Sequence, residues 1–250
     1  MDPELLRWRG KVALVTGASS GIGATIATSL GELGMKVAIA GRDQARLRRV
    51  ALEVERAGGE ALVLRGDQAR APVNARFFGR IRRKWGGIDV LVNSAGVRGG
   101  RSLLQGDWAE LQSALDLNVR AALLCMRQAV DDMRNRKDAA IINISSMTGH
   151  RVLPGVPALY AATKHALRVL TDGLRTELVE QNLPIKVALI SPGLVDTPWH
   201  RPPGPGTKKR PFPYPPLQPA DIANAVRYIL SAPRHVQVCD ILIRPSEQPN

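Results

Sequence analysis

Tyr160 and Lys164 stand four residues apart in YAATK, inside a stretch whose apolar residues recur at helical spacing. That interval places both side chains on one helix face, with the ammonium beside the phenol. A neighbouring cation favours the phenolate and draws a phenol pKa down from about 10, giving a group that can protonate a carbonyl oxygen or deprotonate an alcohol. Upstream, an apolar run ends in ISS (144 to 146), and a serine at a strand mouth could donate to charge developing on the same oxygen. Ser145 and Ser146 are both available. Each feature also has an ordinary structural reading, since Tyr/Lys pairs decorate helix surfaces and serines end strands. Their meeting at strand exits is what would make them chemistry.

A hydride source would complete such a site, and TGASSGIG (Thr16 to Gly23) has the form of a dinucleotide turn. Gly17, Gly21 and Gly23 permit a tight bend, let the backbone approach a pyrophosphate and allow close helix–strand packing. The helix that follows offers free N–H groups and the positive end of its dipole. The next apolar run, KVAIAG (36 to 41), leads to Arg42 with no carboxylate before it. An acid there would take the ribose 2′-hydroxyl, whereas a guanidinium suits a 2′-phosphate, so NADP(H) is expected over NAD(H). Asp43 is the ribose acid if the strand ends one residue later, and otherwise caps the next helix. Asp67 lies either at the adenine edge or in a turn.

These groups act together only if the fold gathers them. Apolar runs at 12 to 16, 36 to 41, 60 to 66, 88 to 96, 139 to 146, 184 to 193 and 236 to 245 read as seven strands. Helical patterns at 20 to 34, 43 to 58, 71 to 86, 107 to 135, 157 to 181 and 219 to 232 fill the intervals. Unbroken apolar strands belong to parallel sheets covered on both faces. Right-handed crossovers then give a three-layer, doubly wound α/β sheet, with ligands beyond the carboxyl ends of its strands. One domain over residues 1 to 250 is expected. Segment 198 to 219 breaks the rhythm with nine prolines in 22 residues, and reads as a substrate lid at about 198 to 217 or as a surface loop.

Composition narrows the class. With 44% apolar and 23% charged residues the chain is neither disordered nor fibrous. The short apolar runs, such as AALLCM (121 to 126), fall well below the roughly 18 to 20 residues of a membrane span. The N-terminus MDPELLRWRGK has no apolar signal region and two cysteines make no disulfide framework, so a cytoplasmic protein is expected, with Cys125 and Cys239 packed in the core. Thirty-five basic against 22 acidic residues leave +13, yet the arginines are scattered and aromatics reach only 4%. That pattern favours a solvated basic surface over a nucleic-acid binder. Four histidines without metal-ligand spacing support no metal site. His150 is a substrate contact or a structural residue.

The chain resembles the short-chain dehydrogenase/reductase family over nearly all of residues 10 to 245. The resemblance rests on TGASSGIG, NSAG (Asn93 to Gly96), Asn118, ISS, YAATK and SPGLVDT (191 to 197), in order. SMTGHRVLP and the ending RPSEQ resemble a subgroup of NADP-dependent 17β-hydroxysteroid, farnesol and 3-hydroxy-acid dehydrogenases. The resemblance implies a Rossmann fold and a carbonyl/alcohol oxidoreductase with Tyr160 as acid/base. Lys164 would aid the phenol and bind the nicotinamide ribose. Ser146 would hold the substrate oxygen, being preferred to Ser145 because Ser146-Met-Thr-Gly149 matches the family spacing, and Asn118 would hold a water joining Lys164 to solvent. NADP(H) would touch Gly17, Ser19, Ser20, Gly21, Ile22, Gly23, Arg42, Asp67, Asn93, Ala95, Gly96, Tyr160, Lys164, Pro192, Gly193 and Thr197. A homo-oligomer, tetramer or dimer, is expected, with a small-molecule partner. A non-catalytic NADP(H)-binding sensor or scaffold is the alternative, which the complete Ser-Tyr-Lys set disfavours.

Overall fold

The computed structural model describes residues 2–100, 103–200 and 212–249. The middle of the expected lid, residues 201 to 211, lies outside the described residues. The strands are β1 (Val12–Val15), β2 (Lys36–Gly41), β3 (Glu60–Arg65), β4 (Val90–Asn93), β5 (Ala140–Ile144), β6 (Lys186–Pro192) and β7 (Asp240–Ile243). The helices are α1 (Pro3–Leu6), α2 (Gly21–Glu32), α3 (Gln44–Arg56), α4 (Ala71–Trp85), α5 (Trp108–Leu115), α6 (Ala122–Met133), α7 (Ala158–Glu180) and α8 (Pro219–Ser231). The strands form one parallel sheet in the order β3-β2-β1-β4-β5-β6-β7.

Side-chain alternation explains the unbroken apolar runs. Ala13 and Val15 of β1 enter a core shared with α2, α3 and α8, while Val12 and Leu14 enter a second core with α4, α6 and α7. Successive residues point to opposite faces, so a strand covered on both must be apolar throughout. The expected three-layer doubly wound fold is therefore the observed one.

The strand order reverses between β1 and β4, which opens a crevice at their carboxyl ends. Gly17, at φ +64°, lies so near the exit of β4 that a Cβ on it would sit 2.8 Å from the backbone of Ala95. Thr16 ties the two exits together: its hydroxyl accepts from the N–H groups of Ser94 at 3.0 Å and Ala95 at 3.1 Å.

Three local expectations need correction. The single helix foreseen at 107 to 135 is α5 and α6 joined by a π-helical segment, Asp116–Ala121, that carries Asn118. The last strand begins at Asp240 rather than 236, and Cys239 is exposed instead of packed in the core. Cys125 is buried, and desolvation pushes its thiol up to about 12. Asp43 caps α3, its carboxylate accepting from the Arg46 N–H at 3.0 Å. Among the described residues no helix is long and apolar enough to cross a membrane.

Candidate active site

The strand exits line one cleft of about 1150 Å³. Of the residues expected at the site, only Asn93 and Asn118 stand behind its wall; all the others line it. The cleft has two ends with different character.

At the first, α2 presents its N-terminus. Ser20 is the N-cap but its side chain makes no capping hydrogen bond, so the first-turn N–H groups remain available to an anion. A Cβ on Gly23 would come within 2.6 Å of the Gly17 oxygen, and one on Gly21, at φ +56°, within 3.2 Å of a Thr197 methyl. Only glycine fits either place, and the bare backbone this leaves has the donors and the room for a pyrophosphate. Arg42 is exposed on the cleft wall beyond β2, with Arg46 beside it. Arg46 also reaches the Asp43 carboxylate at 3.1 Å. Asp67 lines the cleft and makes a turn, accepting from the Ala69 N–H at 3.1 Å. The donor set fits a dinucleotide.

Asn93 does not reach the cleft. Its amide donates to the Asn143 side chain at 2.9 Å across the β4–β5 pair, and Asn143 donates in turn to Thr171 at 2.9 Å. That chain of bonds ties two strands to α7.

At the second end, the first turns of α7 carry Tyr160 and Lys164. Lys164 is buried, and its ammonium donates to the Ile144 carbonyl at 2.9 Å while standing 5.7 Å from the centre of the Tyr160 ring. Desolvation lowers its pKa from 10.5 to about 8. The Tyr160 phenol is not drawn down as its spacing from Lys164 predicts. Burial pushes it up to about 12, against a hydrogen bond from Ser146 and the charge of Arg98. The desolvation of the phenol outweighs the groups that favour its ionised form.

The two serines separate clearly. Ser145 donates to the Lys164 carbonyl at 3.2 Å within the wall, whereas Ser146 meets the phenol and accepts from the Thr148 N–H at 3.2 Å. His150 lies outside the cleft lining, 2.8 Å from the Ser191 hydroxyl and 3.6 Å from the Asp240 carboxylate.

Asn118 clamps the loop after β4. Its Oδ1 accepts from the Val97 N–H at 2.8 Å, and its amide donates to the Val97 carbonyl at 2.8 Å and to Thr163 at 3.0 Å. Thr163 donates onward to the Tyr160 carbonyl at 2.8 Å. A side chain here needs room, and the neighbouring Gly96 gives it: a Cβ there would lie 3.3 Å from Asn118 Oδ1.

Sequence reasoning missed several lining residues, Trp199, Tyr214, Arg98 and Gln248 among them. Trp199 tilts over Tyr160 with ring centres 5.9 Å apart, and Tyr214 lines the same end. Both lie in the proline-rich segment, which has no periodicity to single out a residue. Arg98 was hidden among many scattered arginines. Gln248 comes from the far end of the chain, where its Oε1 accepts from the Leu194 N–H at 2.9 Å.

Comparison with known proteins agrees with this geometry. A family model described as short chain dehydrogenase matches residues 11–205. "Dehydrogenase/reductase SDR family member 11" of Homo sapiens is 40% identical over 255 residues, covering 98% of this chain and 98% of that one. Among solved structures, an alcohol dehydrogenase from the archaeon Thermococcus sibiricus complexed with 5-hydroxy-NADP superposes with a TM-score of 0.83 at 28% identity, covering 96% of this chain and 98% of that one. A metagenomic short-chain oxidoreductase in complex with NADP gives 0.80 at 33% identity, covering 96% and 99%.

Proposed function

The chain belongs to the short-chain dehydrogenase/reductase family of oxidoreductases, and from that premise we propose that it is an NADP(H)-dependent enzyme interconverting a carbonyl and a secondary alcohol. The observation that carries the reading is the meeting of Ser146, Tyr160 and Lys164 on the wall of the same cleft as the uncapped N-terminus of α2.

NADPH, when bound, supplies a hydride, that is a proton with an electron pair, to the carbonyl carbon. Everything else falls to the chain. Ser146 holds the carbonyl oxygen by a hydrogen bond that strengthens as negative charge grows there. Tyr160, a protonated phenol that burial holds further towards its neutral form, gives its proton to that oxygen; in the reverse direction its phenolate takes the alcohol proton. Lys164 faces the phenol with a charge and holds the ribose. Asn118 positions the loop after β4 against α7 and completes the set.

Arg42 supports NADP(H) over NAD(H), since its guanidinium has the geometry for a 2′-phosphate and the end of β2 lacks an acid. 5-hydroxy-NADP in the structure of one neighbour and NADP in that of another favour the same choice. The proline-rich segment acts as a lid over one domain: its described ends are held by the Val195–Leu217 bridge, and Trp199 and Tyr214 face the cleft. A homo-oligomer working in the cytoplasm completes the reading. A panel of ketones and alcohols followed by NADPH absorbance tests it, with turnover of some carbonyl expected and binding without turnover pointing to the sensor alternative.

A further inference from the structure

Charge is distributed unevenly along the cleft. Its two acidic residues, Asp43 and Asp67, follow β2 and β3 at the end assigned to the adenosine half of the cofactor. At the other end, beyond Tyr160 and Ser146, the wall is formed by Val97, Met147, Leu153, Val156, Trp199 and Tyr214. Apart from Lys164, the charged side chain lining this end among the described residues is Arg98, and no carboxylate accompanies it.

The position is built rather than incidental. Arg98 follows Val97, whose N–H and C=O are both held by Asn118 at 2.8 Å, and the chain turns away behind it at Gly99 and Gly100, both at positive φ (+65° and +73°). The Arg98 guanidinium is exposed and makes no hydrogen bond or ion pair among the described residues. Elsewhere in this basic chain, arginines facing an available carboxylate use it, as Arg82 does with Asp132, Arg175 with Asp172 and Arg234 with Asp138. Its charge also reaches the reacting end, where it favours the phenolate of Tyr160.

We propose that Arg98 binds a carboxylate of the substrate, so that the preferred substrates are keto acids with an apolar body, or the matching hydroxy acids in the oxidative direction. The proposal rests on the reductase reading above. A guanidinium offers a carboxylate two parallel N–H donors, which satisfies a planar monoanion with one side chain. A phosphate dianion carries more charge to desolvate and would call for a second cation, which this end lacks among the described residues. In the reaction the carboxylate is unchanged. The hydride forms the new C–H bond, the carbonyl π pair becomes the alkoxide pair, and the Tyr160 proton closes the O–H bond, so that keto acid, NADPH and one proton yield hydroxy acid and NADP⁺.

The test compares benzoylformate and benzoylacetate with their methyl esters, which keep the shape and lose the charge, by NADPH oxidation in the wild type and in Arg98→Gln and Arg98→Lys. The better of the two acids should exceed its ester in kcat/KM by about 10- to 100-fold, the gain expected of a charged hydrogen-bonded pair. Arg98→Gln should remove that margin by raising KM for the acid more than for the ester, so that the two are reduced with similar kcat/KM, and Arg98→Lys should restore part of it. Esters reduced as well as acids, or a variant that retains the preference, would overturn the proposal. Failure of the reductase reading would look different: no NADPH oxidation with acid, ester or any uncharged ketone. In that event tryptophan fluorescence, with Trp199 beside Tyr160, still decides by titration with phenylacetate and phenylacetamide. Binding of the anion alone, lost in Arg98→Gln, supports the site; equal binding of both, or of neither, sinks it.

Discussion

The ammonium of Lys164 is bonded to the carbonyl of Ile144, the last residue of β5, at 2.9 Å. The helix that carries both residues, α7, is thereby pinned to a strand exit, and the charge beside the phenol is held by the sheet rather than by the phenol itself. Tyr160 and Lys164 share a helix face, yet each departs from its ordinary pKa chiefly through burial.

That burial makes a stability prediction with a definite sign. Lys164 titrates at about 8 in the folded chain against an ordinary value of 10.5, so between those limits the unfolded state binds more protons and wild-type stability rises with pH. Below about pH 8 both states are protonated and the desolvation penalty is fully present. Lys164→Met should therefore be more stable than wild type at pH 7 and lose that advantage towards pH 10. Urea midpoints at several pH values check this, and an advantage independent of pH would contradict it.

Cofactor choice should follow Arg42. Arg42→Ala should weaken NADPH binding by about 10-fold or more, as loss of a charged hydrogen-bonded partner does, and leave NADH binding equal or improved. Fluorescence titration of both cofactors reads the difference. Equal affinity of the wild type for the two would show that the end of β2 does not select.

How far these residues could be foreseen depended on whether they obey a period. Tyr160 and Lys164 sit at helical spacing, and most of β1 to β6 are apolar runs, so the doubly wound sheet and the shared helix face of Tyr160 and Lys164 were legible. Asn118 was legible as a residue but not in its geometry. The π-helical segment holding it inserts a wider turn that apolar spacing does not register. Asn93 was placed at the cofactor because it belongs to a motif; its amide turns inward to Asn143, a choice made by the neighbouring strand. Arg98, Trp199 and Gln248 reach the cleft from irregular segments, where direction depends on tertiary contacts alone.

Asn118→Ala tests the clamp. Both backbone groups of Val97 would lose their partner at once, which should destabilise the fold by about 1–3 kcal/mol and release the loop that carries Arg98. Turnover should fall further than stability explains, because Thr163 and the first turn of α7 lose a contact too. Denaturation and turnover measured on the same preparation separate the two effects; an active variant of normal stability would rule the clamp out.

Assembly should involve α5, α6 and α7. Leu167, Leu170 and Leu174 of α7 belong to the core or pack against it. Trp108 at 70% exposed, Val169 at 69%, Leu115 at 38% and Leu123 at 37% remain uncovered, and a self-complementary contact would bury them. Light scattering at micromolar concentration should give a dimer or tetramer mass, with Trp108→Glu and Val169→Glu shifting it towards monomer. A monomeric wild type refutes this.

Catalysis by the Tyr160 proton is the claim on which the rest depends, and single-turnover reduction by Tyr160→Phe tests it most directly. Phenylalanine keeps the ring packed against Trp199 and removes only the hydroxyl that Ser146 meets. With a carbonyl substrate that the wild type reduces, NADPH affinity should stay within about 2-fold while the hydride-transfer rate drops by about 100-fold or more, the range of a lost general acid. A variant that binds NADPH normally and reduces the carbonyl at near the wild-type rate would contradict the assignment of Tyr160 as the proton donor.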